Sequence, residues 1–202
     1  MGGRTIGAAC VLAAALLMTG CAGGGATPTS SPTDTTSPSP TPTASPTPTP
    51  SGSVDPNAPA GQCADDVLQV SIEDLGGGAG STGYDLVFTN TGSTSCELRG
   101  APGVSVVNDA GVQLGEAAER QGDENPPTLT LEPGGSVAAS LQAVNISPDG
   151  GPLDDCPVVE GTAYLVYPPH SFTAVEVTTG APVPACESST SFLTVGPVQA
   201  RS

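Results

Sequence analysis

The sequence predicts an all-β domain, a sandwich or a barrel, behind a leader and a low-complexity stalk. Three observations carry that expectation. From Gln62 onward, apolar and polar residues alternate in short runs. Gly, Pro, Asn and Asp separate the runs. Four cysteines fall inside the same stretch. Of the 202 residues, about sixty at the start are targeting and low-complexity sequence. The remainder is near the commonest domain size and can build one hydrophobic core. There is no Trp, and the three Phe and three Tyr all lie in this stretch, so Val, Leu and Ala must supply most of that core.

Met1–Gly20 reads as a signal peptide. Arg4 is its positive flank, and the apolar run Ile6–Met18 is too short for a bilayer span, which needs about 20 residues. Met18-Thr19-Gly20-Cys21 resembles the bacterial lipobox, with an apolar residue, two small residues and then the cysteine. That resemblance implies a lipid on Cys21, a mature chain beginning there, and a location on the extracytoplasmic face of the cell membrane. Two or more acyl chains, each contributing about 0.8 kcal/mol per buried CH₂, anchor stably where one does not. Cys10 leaves with the leader.

Ala22–Ala60 is a linker with Pro at nearly every second or third position over much of its length. Such a composition cannot bury enough apolar surface to fold. Its prolines favour polyproline II, so roughly 30 residues reach about 90 Å. The Ser/Thr/Pro mixture fits an O-glycosylated stalk and an unmodified one equally. The expected organisation is therefore leader 1–20, lipidated Cys21 with linker 21–61, and β-domain 62–202.

Charge excludes some functions. There is no Lys, and loss of Arg4 with the leader leaves Arg99, Arg120 and Arg201 against 20 Asp and Glu. A chain so short of cations cannot displace the counterions of nucleic acid. It is not drawn electrostatically to an anionic bilayer either. The acidity suits a solvated, self-repelling surface, with a cation or basic partner as the alternative.

The expected strands follow in order. Val67–Glu73 puts Leu68, Val70 and Ile72 on one face, and Tyr84–Thr89 does the same with Tyr84, Leu86 and Phe88. Cys96 and Leu98 continue the alternation, and Val104–Val107 stops at the turn signal Asn108-Asp109-Ala110-Gly111. Leu129 and Leu131 precede Pro133-Gly134-Gly135, after which Val137, Ala139 and Leu141 alternate again. Ala163–Tyr167, Phe172–Val177 and Phe192–Val195 complete the set, and Gly115–Arg120 is expected as a weak helical turn.

Cys63, Cys96, Cys156 and Cys186 remain after processing, in an oxidising compartment, and four cysteines allow three pairings. Hairpin arithmetic selects one. If Glu73 lies opposite Tyr84, position 63 faces 94, close to Cys96. If Tyr167 lies opposite Phe172, position 156 faces 183, close to Cys186. The expected bridges are thus Cys63 with Cys96 and Cys156 with Cys186. Metal binding by these cysteines is disfavoured, since there is no C-x-x-C and no nearby His.

Asn90-Thr91-Gly92, Cys96-Glu97-Leu98-Arg99-Gly100 and Pro102-Gly103-Val104 together resemble an actinobacterial lipoprotein family, domain of unknown function 4232. Leu131-Glu132-Pro133-Gly134-Gly135-Ser136, Cys156 and Cys186 fit the same pattern. The resemblance covers Cys63 to Pro197 and departs at Ala101, where the pattern carries an aromatic residue. It implies an immunoglobulin-like sandwich and a high-GC Gram-positive host, and it implies no activity.

The sequence carries few residues that could do chemistry. The single His, His170, sits in Tyr167-Pro168-Pro169-His170-Ser171, where a solvated turn residue is expected because no G-x-S-x-G elbow supports catalysis. Gly76–Gly78 reads as a hairpin tip rather than a phosphate loop, having no Lys and no helix after it. Asp65-Asp66, Asp123-Glu124-Asn125, Asp149 and Asp154-Asp155 are acidic loops, for which calcium is the alternative to solvation. Asn145-Ile146-Ser147 is a formal sequon. No cofactor, metal or catalytic residue is assigned. The expectation is a non-enzymatic, membrane-anchored binding module for a protein, a cell-wall glycan or a small ligand. A spacer without a ligand is the alternative, and a hydrolase ranks below both.

Overall fold

The computed structural model describes residues 55–78, 80–147, 153 and 155–201. The leader, Cys21, nearly all of the stalk, Asp149 and Asp154 lie outside them. After a 3₁₀ turn at Asp65–Val67 come β1 (Leu68–Gly77), β2 (Ser81–Asn90), β3 (Cys96–Leu98), β4 (Gly103–Val107), β5 (Gln113–Leu114) and β6 (Glu119–Arg120). The later strands are β7 (Leu129–Leu131), β8 (Ser136–Val144), β9 (Val158–Gly161), β10 (Ala163–Tyr167), β11 (Val175–Val177), β12 (Val183–Cys186) and β13 (Leu193–Ala200).

Two sheets face each other, β1-β2-β8-β13-β6 and β11-β10-β4-β5, with the small pairs β12-β9 and β3-β7 beside them. This is an immunoglobulin-like sandwich. β1, β2 and β8 take the A, B and E positions, β4, β10 and β11 take C, F and G, and β13 occupies the place beside E where D usually runs. The alternation explains the layers. Leu86, Phe88, Val137, Ala139 and Leu141 point inward from one sheet and meet Val104, Val106, Tyr164 and Val166 from the other. Ser140 and Gln142, between the inward residues of β8, stay exposed.

The β1–β2 register differs by one residue from the hairpin arithmetic. Asp74, not Glu73, lies opposite Tyr84, and Leu68, Val70 and Ile72 lie opposite Asn90, Phe88 and Leu86. The physical reason is face matching. A one-residue slip would set Ile72 against Asp85 and turn its apolar row outward.

Three other expectations change. Gly115–Arg120 is not a helical turn. The amide of Glu116 donates to the Thr190 carbonyl and that of Ala118 to Val104, so long-range partners take the donors a helix would use. Its end, β6, pairs parallel with β13, the one parallel strand pair among the described residues. β11 begins at Val175, not Phe172, and leaves Phe172 on the surface. β9 and β12, absent from the expected set, pair with each other.

Tyr164 is the largest fully buried side chain, and its ring lies 5.7 Å from that of Tyr84. Among the described residues its hydroxyl has no partner in hydrogen-bonding geometry, and burial, followed by the influence of Tyr84, pushes its pKa well up. An unpaired buried hydroxyl costs free energy that Phe would not. Tyr164→Phe is therefore expected to leave the domain unchanged or stabilise it by about 1 kcal/mol in urea unfolding. A loss of that size would show that the hydroxyl has a partner.

Candidate functional site

The stretch Asp55–Gly61, assigned from composition to the end of the linker, is fastened to the β-domain. The Gly61 carbonyl accepts from the Glu97 amide at 2.7 Å, and the Cys63 amide donates to the Glu97 carbonyl at 3.0 Å. The Cys63–Cys96 disulfide locks the same place, with Cα atoms 4.8 Å apart. Arg99 donates from its guanidinium to the Asn57 carbonyl. Cys156 bridges Cys186, at a Cα distance of 4.9 Å, on the β9–β12 side.

The facing wall is the β10–β11 loop. Pro168 and Pro169 start a turn closed by the Ser171 amide on the Pro168 carbonyl, 2.9 Å. Pro in its second position suits type I and type II turns alike, and a left-handed third residue, usually Gly, is the mark of type II. Here that residue is His170, at φ 61°. A non-glycine residue there carries strain. Asp55 helps hold it, with its Oδ2 lying 2.8 Å from His170 Nδ1 while its Oδ1 accepts from the Asn57 amide at 2.8 Å. These two partners, the Asn57 amide first, hold the Asp55 carboxyl below its ordinary value. Gln62 crosses the same gap, its Nε2 donating to the Pro169 carbonyl at 3.0 Å.

Between the two walls lies a cleft of about 490 Å³. Ala58, Pro59, Ala60 and Ala64 line one side and Ser171, Phe172 and Thr173 the other, with Asp55, Gln62, Asp65 and His170 contributing the remaining polar lining. Phe172 is 64% exposed, and Tyr167 before the loop is 38% exposed. The cleft sits where a β-sandwich gathers its connecting loops, the usual place for recognition on a rigid scaffold.

The model of the family described as Domain of unknown function (DUF4232) matches residues 63–199. The chain belongs to that family. No curated protein matches it.

The DUF4232 span accounts for the sequence motifs physically. Asn90 of the Asn-Thr-Gly motif is wholly buried. Its Nδ2 donates to the carbonyls of Thr94 and Leu131, at 2.8 and 3.0 Å, and its Oδ1 accepts from the Gly92 amide at 2.9 Å. Its backbone closes on Gly134 and Gly135 of the second motif. Gly134 adopts φ 78°, and a Cβ on Gly135 would lie 2.9 Å from the Glu132 carbonyl oxygen, so the turn demands both glycines. Ala101, where the sequence departs from the pattern, packs against the core. The DUF4232 match opens at Cys63, so Asp55 and the Ala58–Gln62 wall of the cleft precede it.

The structure brings His170 to an acid, but not to a nucleophile. Ser171 Oγ accepts from the Thr173 amide and donates to the Thr173 carbonyl, so its hydroxyl is committed to its own loop. The other polar candidates scatter. Asp123 and Glu124 sit on an exposed loop, and Asp155 offers its backbone carbonyl to Ser188 and Thr190. Asn145 of the sequon accepts from Thr82 Oγ1 and donates to the Gly78 carbonyl. Among the described residues no group of three or more His, Cys, Asp and Glu could hold a metal ion. Asp55 escaped the sequence reading because it lies 115 positions from His170 in a segment that resembles the stalk.

Proposed function

We propose that this protein is an extracytoplasmic lipoprotein, held to the membrane by the lipid on Cys21, whose DUF4232 sandwich serves as a non-enzymatic binding module for a protein or wall-glycan partner. The observation that carries the reading is the loop-end cleft with Phe172 standing at its rim, 64% exposed in a chain with three Phe and no Trp. Exposed aromatic side chains beside a concave surface are the common anchors of interfaces. The engagement of Ser171 with Thr173 supports a role without covalent catalysis.

Two measurements test the parts separately. Cys21→Ser is expected to move the protein out of the detergent phase and alter its processed size, because the acyl chains supply the anchor. Retention in that phase at unchanged size would overturn the anchor. A photo-crosslinking residue at position 172, used in intact cells, is expected to yield a discrete adduct. The same residue at position 112, where Val112 is 57% exposed in another turn, should not. Equal labelling or none at both positions would favour a spacer without a specific ligand.

A further inference from the structure

The lining of the cleft narrows the chemistry of its ligand. Its apolar surface comes from small and ring side chains, Ala58, Pro59, Ala60, Ala64 and Phe172, which suit a slim aliphatic stem. Its polar surface is rich in acceptors. Asp65 is exposed, and its carboxylate makes no hydrogen bond or ion pair within the described residues. Asp66 is exposed beside it on the same 3₁₀ turn. Gln62 lines the cleft with a carboxamide fixed by the Pro169 carbonyl, and its Oε1 is buried and without a donor among the described residues.

The cationic side chains are committed elsewhere. Arg99 is bound to the Asn57 carbonyl, Arg201 forms a two-pronged pair with Glu73 at 2.8 and 3.1 Å, and Arg120 faces the Pro102 carbonyl. His170 Nδ1 faces Asp55. An anionic ligand would therefore meet carboxylates with no free cation to offset them among the described residues.

We infer that the cleft binds a primary ammonium group on an aliphatic stem, as a lysine side chain or a free diamine presents it, with the stem against Phe172 and the Ala/Pro wall and the ammonium at Asp65. The inference rests on the binding-module reading and adds the charge of the ligand to it. Phe172 contributes twice, as apolar surface and as a ring face that attracts cations.

The test uses the full chain, isotopically labelled, and follows backbone amide resonances of Ala64 and Asp65 and the side-chain amide of Gln62. The probes are acetyl-lysine methylamide and 1,5-diaminopentane, with acetyl-norleucine methylamide as the uncharged isostere and an N-acetylglucosamine oligomer as a neutral glycan. At least one ammonium probe should shift these resonances at millimolar concentration, and norleucine should not. Binding of the lysine amide alone assigns the source to a peptide, whereas binding of both probes assigns it to ammonium stems generally. Asp65→Asn should weaken binding roughly three- to fivefold, as expected for an exposed charge, and added salt should weaken it further. Asp65 lies on an exposed turn, so the rest of the spectrum should stay unchanged and report an intact fold.

Equal shifts with norleucine, shifts with the glycan only, or silence from both ammonium probes would overturn the inference. An adduct from position 172 together with silent ammonium probes would leave the binding module standing and remove its charge preference. Silence in both experiments would remove both.

Discussion

Asn90→Ala is expected to lower the unfolding free energy by about 3 kcal/mol or more, the largest effect of any single side-chain truncation proposed for this fold. The substitution does more than delete three hydrogen bonds. It removes one of the donors to the Leu131 carbonyl, which belongs to a residue only 1% exposed and pairs with Cys96 in the β3–β7 ladder, and it frees the Gly92 amide beside it. Each buried polar group left alone costs about 1–3 kcal/mol. Asn90→Asp should be no milder near neutral pH, because a carboxylate would replace a donor that faces two carbonyl oxygens in a buried site. Thr91→Ala is the comparison, since its hydroxyl makes one exposed hydrogen bond to the Val67 carbonyl and should cost under about 1 kcal/mol. Thermal unfolding would show the difference as a drop of roughly 10 °C for Asn90→Ala. A drop no larger than that of Thr91→Ala would mean that Asn90 does not hold the two motifs together.

Removing the disulfides should be comparably severe. Cys63–Cys96 and Cys156–Cys186 span separations of 33 and 30 residues, and closing loops of that size contributes roughly 3.5 kcal/mol each in the chain-entropy account. The loops do not overlap along the chain, so the two losses should add to within about 0.5 kcal/mol. Replacing one pair by Ala should leave a folded but weakened domain. Replacing both removes about 7 kcal/mol, which is most or all of the stability of an ordinary domain. Guanidinium unfolding of the single-pair and double-pair variants, read by circular dichroism, provides the check. An unchanged midpoint for either single-pair variant would refute the expectation.

Much of the scaffold was legible in the sequence because its strands are half-buried. A sheet with one wet face writes a period of two, and β2 and β8 show it in Leu86, Phe88, Val137, Ala139 and Leu141. β4 was legible for a different reason: Val104, Val106 and Val107 form a short apolar run, and that strand is buried on both faces. β9 and β12 wrote nothing clear. Gly161 and Pro184 interrupt four-residue strands, and the pairing of Val183 with Gly161 was the product of long-range packing. The second disulfide illustrates the gap between a right pairing and its cause. The arithmetic ran through the β10–β11 hairpin, whereas Cys186 ends β12, whose partner is β9.

The candidate site was less legible than the fold. Phe172 looked like the first residue of an alternating strand, and no local signal marks it as exposed. His170 was placed in a turn, which is where it lies, but its partner Asp55 sits at the edge of a Pro-rich segment with no periodicity of its own. Sites assembled from a loop and a distant terminal segment leave no spacing pattern for a sequence reader to find.

The position of the first disulfide has a mechanical consequence. A pull applied to the chain ahead of Cys63 would reach that disulfide before it reached β1. The covalent link to Cys96 closes β1 and β2 inside a loop that force bypasses, so that hairpin cannot be peeled open from its N-terminal side while the bond is intact. Pulling then bears first on the short β3–β7 pairing downstream of Cys96, and the maximum extension of the chain is shortened by the 33-residue separation the bond bridges. Reduction of that single bond would turn a stretch-resistant end of the domain into one that unzips.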